Sequence, residues 1–159
     1  MTCLAFAWSA ALLAGCSTSS ERRVRNPQPR EDLEPVQIQL TVGLPYDSDG
    51  NGYPDTVQSL VYVFPDSRES ALPIRVKGTF EFAMQNAAGD VVAHWVFPPD
   101  VTDQAARFLP AGIGYSMYLR LAPGQDVMGP TSLDVRCRFV TVDGVEVRGQ
   151  GRASVRFGG

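Results

Sequence analysis

The chain has 159 residues and a formal charge of −3, with 14 Lys and Arg against 17 Asp and Glu. That mildly acidic balance argues against the basic face needed to neutralise a phosphate backbone, so nucleic acid is not an expected partner. One His and three Cys leave neither a zinc spacing nor a disulfide framework.

Met1 to Gly15 is uncharged and mostly apolar, and it ends in Leu13-Ala14-Gly15-Cys16 before the polar run Ser17-Thr18-Ser19-Ser20. The small residues Ala14 and Gly15 leave the backbone beside Cys16 open to a processing enzyme. An apolar stretch of roughly 12 residues falls short of the ~20 that cross a bilayer. The arrangement resembles the signal and cleavage box of bacterial lipoproteins. That resemblance implies a signal peptide over residues 1–15 and lipidation of Cys16 as the first mature residue. It also implies an outer-membrane address in the cell envelope, facing periplasm or cell surface, because Ser17 replaces the Asp that retains some lipoproteins in the inner membrane. The membrane is then a partner through the acyl chains on Cys16, each buried methylene contributing about 0.8 kcal/mol.

Residues 16–35 change composition again. Ser and Thr give way to Glu21, Arg22, Arg23, Arg25, Pro27, Pro29, Arg30, Glu31, Asp32, Glu34 and Pro35. The charges balance, apolar residues are few and the prolines favour extended backbone, so this segment reads as a lipidated, disordered tether. Residues 36–159 then form one domain, expected to be monomeric and large enough for a single core.

From Val36 the dominant period is two. Val36, Ile38, Leu40, Val42 and Leu44 alternate with Gln37, Gln39, Thr41 and Gly43, the pattern of a half-buried strand.

An acidic loop follows: Asp47-Ser48-Asp49-Gly50-Asn51-Gly52-Tyr53-Pro54-Asp55, with Gln58 beyond it. Oxygen side chains at alternate positions converge on a hard cation when a glycine such as Gly52 makes a sharp turn. The spacing resembles the calcium loops of EF-hands, dockerins and thrombospondin type 3 repeats. That resemblance implies a structural calcium ion with Asp47, Asp49 and Asn51 as side-chain ligands, Tyr53 as a backbone ligand and Asp55 as a direct or water-mediated one. Gln58 takes the last position, where the EF-hand pattern has a bidentate Glu, so its amide is a weaker ligand. The alternative is a hairpin loop that is polar because turns are polar. Tyr46 and Tyr53 flank the loop and are expected to pack beneath it, although exposed they would form an aromatic platform for a glycan.

Further strands are predicted over Val57–Phe64, Phe80–Gln85, Val91–Phe97, Tyr115–Leu121, Leu133–Thr141 and Val145–Phe157, the last bulged at Gly149 and Gly151. Ala88-Gly89-Asp90 and Asp143-Gly144 read as hairpin turns. One short helix is expected near 101–108, capped by Asp100, propagated through Ala105-Ala106-Arg107-Phe108 and stopped by Pro110. About seven to eight short strands with little helix make an all-β chain, an antiparallel β-sandwich of immunoglobulin-like or related type. A closed barrel is the second choice.

Catalytic chemistry is not expected. His94 is read as a partly buried strand residue and Cys137, on the parity of Leu133, Val135 and Phe139, as a small buried hydrophobe. No Gly-rich phosphate loop precedes a helix, and no acid pair stands apart. The expectation is a non-enzymatic, lipid-anchored envelope module that binds a protein or serves an architectural role. The alternative is a carbohydrate or other ligand module using Tyr46 and Tyr53.

Overall fold

The computed structural model describes residues 30–149 and 152–158. Residues 13–16, where lipidation is expected, and most of the expected tether lie outside the described residues. Residues 30–35 lead into the first strand and lie against the body. The Arg75 N–H donates to the Arg30 carbonyl, Glu31 pairs with Arg75 and Lys77, and Leu33 packs on the core.

The described chain is an all-β sandwich with a single short helix. Its elements are β1 (Gln37–Val42), β2 (Thr56–Phe64), β3 (Gly78–Gln85), β4 (Val91–Phe97), α1 (Pro99–Ala105), β5 (Ala106–Leu109), β6 (Gly112–Arg120), β7 (Thr131–Thr141), β8 (Glu146–Arg148) and β9 (Ala153–Phe157). One sheet has the order β1-β2-β6-β5. The other runs β4-β3-β7-β8, with β9 also paired to β7. All of these pairings are antiparallel.

Period-two alternation places the core. On β3, Phe80, Phe82 and Met84 point inward; on β7, Leu133, Val135, Cys137 and Phe139; on β6, Ile113, Tyr115, Met117 and Leu119. Phe80 lies 4.8 Å from Phe139 and 5.1 Å from Tyr115, ring centre to ring centre, which joins the two layers at their middle. Burying each such side chain contributes about 1.5–3 kcal/mol. On β1 the alternation reaches the core chiefly at Ile38, because β1 is an edge strand; Val36 and Leu44, outside it, are exposed. A lone parallel bridge from Ile38 to Gly149 brings the two sheets together along one seam.

Two local expectations are corrected. The helix spans Pro99–Ala105, so it starts before the expected range and ends earlier, with Pro98 rather than Asp100 at its N-cap position and Asp100 in the first turn. Ala106, Arg107 and Phe108 are strand, because β5 pairs with β6 from Ala106↔Tyr115 to Leu109↔Gly112. Those ladder bonds outweigh the weak helix preference of the segment. The second correction concerns Val145–Phe157, which is two strands and not one bulged strand. β8 and β9 pair successive stretches of β7, at Arg138–Val140 and Thr131–Val135.

Candidate functional site

The acidic loop connects β1 to β2 and is closed at its neck by backbone bonds. Tyr46 N–H donates to Thr56 O at 2.9 Å, and Thr56 N–H to Tyr46 O at 3.1 Å. Inside the neck the chain winds around the Asp47 carboxylate. Oδ1 accepts from Gly50 N–H at 2.7 Å and Asp49 N–H at 3.2 Å, and Oδ2 accepts from Gly52 N–H at 2.7 Å. The Gly52 bond above all holds Asp47 below the usual carboxylate range. Gly50 and Gly52 have φ of 80° and 90°, a region that glycine enters at little cost, and this lets successive N–H groups face one carboxylate.

The alternating pattern continues. Asp49 Oδ1 accepts from Asn51 N–H at 3.1 Å, and Asn51 Oδ1 accepts from Tyr53 N–H at 2.8 Å. Asn51 Nδ2 donates both to Asp49 Oδ2 at 3.2 Å and to Asp126 Oδ2 at 3.0 Å. Asp126 comes from the connection between β6 and β7 and was not singled out in the sequence. A separation of 75 residues leaves no local signal for it.

Two of the residues predicted as ligands face elsewhere. Asp55 is 2 % exposed and turns into the body, where Oδ1 accepts from Ser48 N–H at 2.9 Å and Oδ2 from Ser48 Oγ at 2.8 Å and Arg120 Nε at 3.2 Å. Thr56 Oγ1 adds a further bond to Oδ1. Burial alone would raise the Asp55 carboxyl, but the Ser48 and Thr56 donors and the Arg120 charge together hold it low. Gln58 lies on β2, and its Nε2 donates to Ser116 Oγ on β6. Asp55 therefore fastens the loop base, and Gln58 links β2 to β6. Among the described residues no three His, Cys, Asp or Glu side chains form a ready metal cage. Of the other predicted ligands, Asp47, Asp49 and Asn51 stay at the rim, where their side-chain oxygens accept from N–H groups of the loop itself, and Tyr53 enters through its N–H, which donates to Asn51.

Tyr46 and Tyr53 are 43 % and 41 % exposed, so the expectation that they pack under the loop gives way to two half-open rings beside it. His94 is also more open than expected. Trp95 takes the inward position on β4 and its Nε1 donates to Arg120 O, leaving His94 on the outer face with Nε2 3.6 Å from Glu81 Oε2. Cys137 is 6 % exposed on the core side of β7, and burial pushes its thiol far above the usual range, which suppresses the thiolate. No protein-family model, curated protein or solved structure matches this chain.

Proposed function

We propose that this chain is a non-catalytic module of the cell envelope, tethered through a lipidated Cys16 and carrying a β1–β2 loop that a calcium ion orders. The observation that supports the calcium part is the pair of carboxylates, Asp49 in the loop and Asp126 from the β6–β7 connection, that share one Asn51 amide nitrogen between them. Calcium accepts six to eight oxygens in flexible geometry, so amide and peptide oxygens complete a set that carboxylates begin. Asp55 has a supporting part, fixing the loop base to β6 through Ser48 and Arg120. The tether part rests on Leu13-Ala14-Gly15-Cys16 and the polar, proline-bearing run after it. A module so anchored presents its loops to an envelope protein.

Calcium titration of the full chain tests the loop. A dissociation constant on the order of 0.1 mM at roughly 1 mM free calcium stabilises the fold by about 1.4 kcal/mol. That raises the melting temperature by about 5 °C. Chelation reverses the shift, and a melting temperature that ignores both calcium and chelator rejects the reading. Detergent-phase partition tests the tether: the chain enters the detergent phase, and Cys16→Ser moves it to the aqueous phase.

A second reading has one observation in its favour, the half-open Tyr46 and Tyr53 rings beside the loop. Such a pair stacks on sugar rings, which makes a carbohydrate the alternative ligand. A glycan array separates the readings, because hits that vanish in Tyr53→Ala belong to the second alone.

A further inference from the structure

The outer face of the β4-β3-β7-β8 sheet is basic, although the molecule is acidic. Arg136 and Arg138 point outward from β7 and Arg148 from β8; Arg156 does so from β9, with Arg152 just before it. These are five of the ten Lys and Arg in residues 36–159, facing three strand acids, Glu81, Asp134 and Glu146. The rest of that region has five cations against ten acids. The charge is therefore segregated: this face is positive, and the excess of acids lies elsewhere, including at the acidic loop.

Register builds a concavity from this chemistry. His94, Ala83 and Arg136 stand in one cross-strand row, and Glu81, Arg138 and Arg148 in the next. Ala83 is short while its neighbours are long, so the row has a floor with raised walls. The resulting hollow of about 570 Å³ is lined by His94, Glu81, Arg136, Arg138, Arg148 and Arg152. Arg138 and Arg148 are directly opposed like charges, a pairing that destabilises a sheet. Glu81 offsets it by accepting from Arg138 Nε at 2.9 Å, and Glu146 by pairing with both guanidinium groups. Arg152 is held by Asp134 at 2.9 Å. Arg136, which also lines the hollow, has no carboxylate partner among the described residues.

We infer that this hollow is a binding site for a compact polyanion bearing two or more phosphate-type oxyanion groups, with Arg136 as its central contact. Arginine forks match phosphate oxygens two at a time; Arg136 is uncommitted, while Arg138, Arg148 and Arg152 share carboxylates and keep exposed donors beside it. The volume suits a small molecule. The one Phe, Tyr or Trp in the lining, Phe82, is fully buried, so the hollow has no large aromatic platform for a sugar ring. Asp134 and Glu146, which do not line the hollow, interrupt the positive face beyond it and so oppose a long phosphate track such as a nucleic-acid strand.

Inorganic pyrophosphate titrated into the full chain at low and high salt, followed by calorimetry and by the arginine side-chain N–H resonances, tests the site. The expected result is saturable binding below about 1 mM at low salt, weaker at high salt, with the Arg136 resonance moving most. Arg136→Gln alters an exposed side chain, so the fold survives, and binding weakens about tenfold or more. Arg68→Gln, in the turn between β2 and β3, leaves it unchanged. The inference fails if pyrophosphate does not saturate, if Arg68→Gln weakens binding as much as Arg136→Gln, or if only phosphatidylglycerol vesicles or an oligonucleotide produce the Arg136 response.

Discussion

Arg120 Nε meets Asp55 Oδ2 at 3.2 Å, joining the last residue of β6 to the residue that closes the acidic loop. The carboxylate is almost wholly buried while the guanidinium is largely exposed, so one end of the pair is fixed by the fold and the other stays solvated. Leu121 N–H also donates to Asp55 O, so side chain and backbone bind the same two segments. Asp55→Ala leaves the Ser48 and Thr56 donors without their acceptor. It is expected to cost about 3 kcal/mol, read from the urea midpoint at constant slope. A cost near that of an exposed turn substitution means that the Asp55 bonds do not hold the loop base.

The same carboxylate predicts an acid limb to stability. Its folded-state pKa lies below the ordinary 3.8, so the native state favours its charged form more than the unfolded chain does. The contribution is fully present above the unfolded value and is lost as pH falls through the folded one. Urea midpoints followed from about pH 6 down to pH 2 are expected to fall in wild type and to fall less steeply in Asp55→Asn. Parallel profiles reject Asp55 as the source.

How far the sequence reaches is visible in these residues. Alternation found the main strands, since a half-buried strand must show its core side every second residue: Phe80, Phe82 and Met84, or Val135, Cys137 and Phe139, are legible for that reason. Ala106–Phe108 has a helical pattern in sequence yet is strand, because its partner, Ile113–Tyr115, acts through ladder bonds that local propensity does not contain. The loop was legible as a motif from Asp47 to Asn51. Asp55 and Gln58 carried the right chemistry for ligands, but burial and pairing with Ser48, Arg120 and Ser116 gave them another task. Asp126 and the arginine hollow depend on neighbours that only the sheet register brings together. Arg136-x-Arg138 showed the outward parity, yet its meeting with Arg148 is a property of the β7–β8 pairing.

Cys137 supplies a prediction about reactivity. Burial on the core side of β7 raises its thiol, so the nucleophilic thiolate is scarce in the folded chain. Maleimide labelling at neutral pH, read by mass on the peptide containing Cys137, is expected to be negligible under native conditions and complete in denaturant. Fast native labelling at that peptide would falsify the core assignment.

Tyr115 ties β6 to the segment between β2 and β3, and the tie has two parts. Val76 N–H donates to its hydroxyl at 2.7 Å, and the hydroxyl donates to Val76 O at 3.2 Å, while the ring sits fully buried 5.1 Å from Phe80. Tyr115→Phe keeps the ring and strips both bonds, leaving two backbone groups unpaired, so it is expected to cost about 1–3 kcal/mol. Burial also pushes the phenol up to about 12 from the ordinary 10.0. A raised folded-state pKa makes this contribution complete below the unfolded value and lost as pH rises through the folded one. The stability difference between wild type and Tyr115→Phe is therefore expected to hold constant from neutral pH to about 10 and to shrink above it. A difference that persists unchanged at higher pH would assign the cost to repacking of the ring alone, since removal of the hydroxyl proton would then have no bearing on what Tyr115 contributes.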